Sequence, residues 1–151
     1  MRKMENYTYI KWNKMWRLWK RHKLETPLEE LVAYDNYMSH GHLEYFQYLK
    51  NDLEIKRNMW IIKKFLSQEI YANLEKAYKI YNDNLDLINN NELDEFELEK
   101  IFIEVDEKFY EDAYEMTKII MREVSDCPYI KVFNFREKYK VLRKLKSSKR
   151  N

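Results

Sequence analysis

One glycine and two prolines in 151 residues leave the chain short of turn residues, which a β-protein requires at roughly every eight to twelve positions. No apolar run approaches the ~20 residues needed to cross a bilayer, and the formal net charge of +2 hides a strong segregation. Residues 1–25 carry net +6, residues 26–130 net −12 and residues 131–151 net +8.

These limits predict an all-α fold: a single domain, residues 1–151, built as a multi-helix bundle of about seven helices. Its core is expected across 26–130, with basic helical extensions at 1–25 and 131–151. A chain of this length buries roughly two-thirds of its unfolded surface. The amino terminus develops no apolar leader run, and the lone Cys127 cannot close an internal disulfide. A reduced, cytoplasmic setting is therefore expected. Cys127, beside Pro128, reads as a small boundary residue with no histidine motif to accompany it.

The first predicted helix runs from Tyr9 to His22. Tyr9, Trp12, Trp16 and Trp19 share one face by their three-four-three spacing, while Arg2, Lys14, Arg17, Lys20 and Arg21 fall mostly on the other. An aromatic face opposite a basic one suits docking on the body, lying on an anionic membrane or gripping nucleic acid. Docking is the ordinary meaning of an amphipathic stripe.

Thr26-Pro27-Leu28-Glu29 predicts a capping box with proline at the first helical position. That helix buries Leu28, Leu31, Val32 and Met38, with Tyr34 and Tyr37 nearby. It stops around Ser39-His40-Gly41, where the only glycine accommodates a positive φ. A short helix, His42 to Leu49, follows. Asn51 or Asp52 caps a longer one through Leu66, and Ser67 caps another that carries Ile70, Leu74, Ala77 and Tyr81 on one stripe. Asn82 to Asn91, with five asparagines in ten residues, reads as a loop.

Glu92 to Glu115 follows, with eleven carboxylates against Lys100 and Lys108. Leu93, Phe96, Ile101, Val105 and Phe109 recur at intervals of three to five and predict one buried helical stripe, which leaves the charges to water. A break is expected near Lys108 to Tyr110, then a helix from Glu111 to Val124 with Met116, Ile119, Ile120 and Val124 inward. Pro128 ends it. A last helix, Ile130 to about Lys146, is expected to carry Val132, Phe135, Tyr139 and Leu142 on one face.

The three histidines, His22, His40 and His42, have no companion ligands at zinc spacing, and neither an EF-hand nor a di-iron pattern occurs. No metal, no cofactor and no enzymatic activity are expected. The candidate site is instead the acidic face of Asp94, Glu95, Glu97, Glu99, Glu104, Glu107, Glu111 and Asp112, facing a basic protein partner such as a DNA-binding protein. The same run also reads as a merely solvated helix face. The alternative is nucleic-acid or anionic-membrane binding through Lys14, Arg17, Lys20, Arg21, Arg143 and Lys144, with aromatic residues to stack or insert. An enzyme built on Asp106, Tyr110 and His42 has no spacing rule behind it. The oligomeric state is open, a homodimer included.

Two segments resemble a known family. Met38-Ser39-His40-Gly41-His42-Leu43-Glu44-Tyr45-Phe46 and, downstream, Phe102-Ile103-Glu104-Val105-Asp106-Glu107-Lys108-Phe109-Tyr110 are similar in type, order and separation to two signature elements of the DNA-mimic-protein-like family. His40 stands where a glycine is usual there, and Glu44 where glutamine is usual. The resemblance covers roughly Pro27 to Val124. It implies an all-helical bacterial protein without enzymatic activity; in the family's named member an acidic surface imitates DNA to occupy a transcription regulator. On this resemblance Gly41, His42, Tyr45, Phe46, Asp106, Phe109 and Tyr110 are signature residues that serve the fold. Gly41 is expected at positive φ or at a close helix approach, with Tyr45 and Phe46 entering the core behind it.

Overall fold

The computed structural model describes residues 2–132 and 143–144, with side chains from residue 7 onward. Among these residues the chain is all-helical, with eight α-helices and no strand. They are α1 (Arg2–Lys20), α2 (Leu28–Tyr37), α3 (His42–Leu49), α4 (Asp52–Ile62), α5 (Gln68–Asp83), α6 (Leu85–Asn89), α7 (Glu95–Glu111) and α8 (Ala113–Ser125). The last expected helix falls largely outside the described residues, Phe135, Tyr139 and Leu142 included, although Arg143 and Lys144 are helical and exposed.

The caps explain most of the boundaries. Asn51 Oδ1 accepts the Glu54 N–H at 2.9 Å and starts α4, while Ser67 Oγ accepts the Ile70 N–H at 3.2 Å and starts α5. Asp94 and Glu97 close a full capping box on α7: Asp94 accepts the Glu97 N–H at 2.8 Å, and the Glu97 carboxylate accepts the Asp94 N–H at 3.4 Å. Nothing in α7 interrupts it, and it continues through Tyr110 to Glu111. The break expected near Lys108 to Tyr110 therefore falls later, at Asp112, which ends α7 and begins α8.

Other boundaries also depart from expectation. The helix expected to begin at Pro27 begins one residue later, at Leu28, with Pro27 rather than Thr26 in the cap position and no side chain capping it. The Thr26 hydroxyl donates instead to the buried Glu30 carboxylate at 2.7 Å, and Glu29 N–H turns to Glu25 O. A buried carboxylate needs a donor more than a helix start needs an acceptor. The asparagine-rich stretch is not a plain loop, because Leu85 and Ile88 pack on the core and draw residues 85–89 into α6. α4 stops at Ile62 rather than Leu66, and α1 starts ahead of Tyr9.

One cluster of buried side chains runs from Met15 to Ile130. α5 packs along α7, α1 and α2 pack on α8, and α2 packs on α3. The predicted stripes on α2, α5 and α8 are buried as expected. Two stripes are shifted. On α1, Met15 is fully buried with Trp12, Trp16 and Trp19 half-buried around it, whereas Tyr9 is exposed. On α7 the buried line is Phe102, Val105 and Phe109, with Leu98 and Ile101 beside it, and Phe96 is 73% exposed. Nine residues at about 100° each put Phe96 on the opposite side of the helix from Val105, so it faces water, and Phe102 fills the inner line instead.

Candidate functional site

α7 presents two surfaces with different chemistry. Its inner side meets the turn between α2 and α3, where the residues of the two family-like segments converge. Gly41 begins α3 at φ 100° and ψ 171°, a backbone region open to glycine almost alone. An added Cβ there would stand 2.5 Å from Asp106 Oδ2. The missing side chain lets Asp106 reach His42, whose backbone N–H donates to Oδ1 at 3.0 Å and whose Nδ1 lies 2.7 Å from the same oxygen. On the far side of the ring, Nε2 is 2.8 Å from the Tyr34 hydroxyl.

Chemistry fixes the proton positions in this chain. Burial pushes the His42 imidazolium below the ordinary histidine value, against the opposing pull of Asp106, and burial also raises Tyr34 well above its ordinary value. The neutral ring therefore donates from Nδ1 to the carboxylate and accepts the Tyr34 O–H at Nε2. The aromatic side chains close round it: Phe46, Phe109 and Tyr34 rings lie 5.7–6.2 Å from the His42 ring. Tyr45 packs on Tyr34 at 4.9 Å, and Tyr110 donates to Met38 O at 2.9 Å. His42 and Tyr34 are fully buried and Asp106 is 21% exposed, and the three linked side chains join α2, α3 and α7. Tyr110 is not one of them.

The outer side of α7 carries the predicted acidic residues. Glu95, Glu99, Glu107 and Glu111 are exposed and make no ion pair among the described residues. The remainder already have work in the fold. Asp94 and Glu97 form the capping box. Glu104 accepts from Lys76 of α5 at 2.8 Å, which lowers its carboxyl below the ordinary value. Asp112 is only 11% exposed and accepts from Lys108 at 3.2 Å, so it belongs to the α7–α8 junction rather than to an open face.

The basic alternative is divided in the same way. Lys14 donates to Lys131 O at 2.8 Å and Val132 O at 3.0 Å, which ties α1 to the chain after α8. Arg17 and Arg21 line a shallow groove of about 310 Å³ with Leu18, Tyr129 and Lys131. Lys20 is exposed on the same helix.

Two residues of the site were not legible as such. Tyr34 stands eight residues before His42 with a chain reversal between, so no helical spacing joins them. Glu30 looks like a solvated acid in sequence, yet it is 2% exposed and held by Thr26 and by Arg57 at 3.5 Å. Among the described residues no group of three or more His, Cys, Asp or Glu could hold a metal ion, and no helix is long and apolar enough to cross a membrane. Comparison with family models, with curated proteins and with solved structures finds no match to the chain.

Proposed function

We propose that the chain is a non-catalytic, cytoplasmic interaction module that offers the outer face of α7 to a basic partner. The observation that carries this reading is the set Glu95, Glu99, Glu107 and Glu111, four exposed carboxylates on one capped helix with no internal ion pair among the described residues. A helix fixes their spacing. Glu95 to Glu99 and Glu107 to Glu111 each advance about 6 Å, close to two phosphate steps of about 3.4 Å along one DNA strand. A protein groove built to neutralise phosphates would accept such a row, and the sharpest form of the proposal is mimicry of DNA toward a DNA-binding regulator. The resemblance of the two segments to the DNA-mimic-protein-like family points the same way.

The test is affinity capture from a bacterial lysate with the parent chain and with a Glu95→Lys, Glu99→Lys, Glu107→Lys, Glu111→Lys variant. These four positions carry no cap and no ion pair, so the variant should fold. The reading expects basic, DNA-binding proteins to be recovered by the parent and lost by the variant. Equal recovery by both removes the acidic face from the account. A second reading is favoured by the groove at Arg17 and Arg21: phosphate-bearing ligands held at α1. It expects a gel shift or liposome binding that weakens steeply with salt, and it fails if neither occurs at low salt.

A further inference from the structure

Two helices of this chain leave apolar side chains in water at the same interval. On α7 these are Phe96, Ile103 and Tyr110, seven residues apart in each step and all exposed. On α4 they are Leu53, 75% exposed, and Trp60, 66% exposed, again seven apart. Seven residues make nearly two helical turns and about 10 Å, so each set forms an outward seam running along its helix. Scattered exposed apolar residues need no explanation, but two in-phase seams do.

The charges beside the seams are opposite. Between and beyond Leu53 and Trp60 stand Lys56, Arg57, Lys63 and Lys64, with the Lys64 ammonium 4.6 Å above the Trp60 ring and Lys63 5.4 Å above Tyr71. Lys56 and Arg57 are paired with acids of their own neighbourhood, whereas Lys63 and Lys64 make no ion pair among the described residues. Beside the α7 seam stand Glu99 and Glu107, equally unpaired among those residues, with Lys100 as the one cation between the first two seam residues. Within one chain, residues of α5 lie beside residues of both helices. Tyr71, Glu75 and Tyr78 of α5 line a groove with Lys56, Trp60 and Lys63, and Lys76 and Glu69 pair with Glu104 and Lys108 of α7.

We infer that the chain binds a second copy of itself, the α4 seam of one copy lying on the α7 seam of the other. Leu53 and Trp60 fit between successive residues of the Phe96, Ile103 and Tyr110 row because both rows share one period, and Lys63 and Lys64 then face Glu99 and Glu107. Each copy carries both faces, so the contact closes when two copies exchange them and extends when they do not. The inference rests on the reading of the outer face of α7 as an interaction surface. It adds that self-association covers the same carboxylates a basic partner would use.

Sedimentation equilibrium of the full chain over a range of concentrations is the test. The expected result is a mass that rises from one chain to two or more, with association weakened by salt. Trp60→Ser and Phe96→Ser should each weaken it about tenfold or more, because each removes a large apolar side chain from the contact. Circular dichroism should show both variants as helical as the parent. A Lys63→Glu, Lys64→Glu chain and a Glu99→Lys, Glu107→Lys chain should each be monomeric alone and should associate when mixed. The inference is overturned by a parent that stays monomeric at every concentration. It is also overturned by association that survives Trp60→Ser and Phe96→Ser unchanged, or by charge-swapped chains that fail to associate on mixing. A monomeric parent whose captured partner is nonetheless lost on reversing Glu95, Glu99, Glu107 and Glu111 would sink self-association and leave the proposed function standing.

Discussion

Asp106 holds His42 at two points, with Oδ1 accepting the backbone N–H at 3.0 Å and the ring Nδ1–H at 2.7 Å. Both bonds depend on the empty space at Gly41, where a Cβ would stand 2.5 Å from the other oxygen of the same carboxylate. Gly41→Ala combines a strained positive φ with displacement of Asp106. It should cost about 2 kcal/mol or more, and Gly41→Val more again. Thermal melts followed by circular dichroism check this, and an alanine variant that melts with the parent would refute it.

Tyr34→Phe removes one hydroxyl and leaves His42 Nε2 buried with no donor. The expected loss is about 1–3 kcal/mol. The effect should not add to that of His42→Gln, because each change breaks the same bond. A double-mutant cycle in urea measures the coupling. Full additivity would mean that the 2.8 Å contact carries no stability.

His42 also sets a pH dependence. Its folded value lies below the ordinary 6.5, so the unfolded chain binds the proton more readily. The stabilisation is therefore fully present above pH 6.5 and is lost as pH falls below it toward the folded value. Asp35 and Glu29 act with opposite sign, since burial raises them above 3.8 and 4.5, and their penalty grows as pH rises from those values. The His42 contribution is isolated by comparing the parent with His42→Gln. The melting temperature of the parent should fall relative to the variant as pH drops below 6.5, and parallel curves would contradict the assignment.

The fold class and most helix positions were written in local signals: Ser67 and Asn51 as caps, Ile70, Leu74, Ala77 and Tyr81 as a stripe, Gly41 as a positive-φ position. What escaped depended on distant partners. Thr26 was drawn from its cap by the buried Glu30, and Ile88 pulled an asparagine run into a helical turn because the core needed it. On α7 the row Phe96, Ile103 and Tyr110 competes with Phe102, Val105 and Phe109, and spacing alone does not say which row meets a neighbour. The segments 38–46 and 102–110 stood out in the sequence, but their meeting across more than sixty residues at His42 and Asp106 did not.

That competition gives a sharp contrast in stability. Phe102→Ala should cost about 3–5 kcal/mol, as for a large aromatic removed from a packed core. Phe96→Ser should stay within about 0.5 kcal/mol for a monomer, since its side chain is mostly in water. Similar costs for the two would return Phe96 to the core.

Asp94 divides structure from recognition on the same helix. Asp94→Ala removes the cap of α7 and should cost about 1 kcal/mol, while Glu99→Gln should leave the melting temperature unchanged. Denaturant unfolding separates them, and equal effects would place Glu99 in the fold rather than on a free face.

The outer carboxylates of α7 are the centre of the account, and a binding isotherm tests them most directly. The partner recovered by capture is titrated against the parent chain and against a Glu95→Gln, Glu99→Gln, Glu107→Gln, Glu111→Gln variant over a range of salt. Glutamine keeps size and helix preference and removes only charge. The prediction is a Kd raised about tenfold or more at low salt, with a salt dependence visibly flattened in the variant. An unchanged Kd with an unchanged salt slope would contradict it.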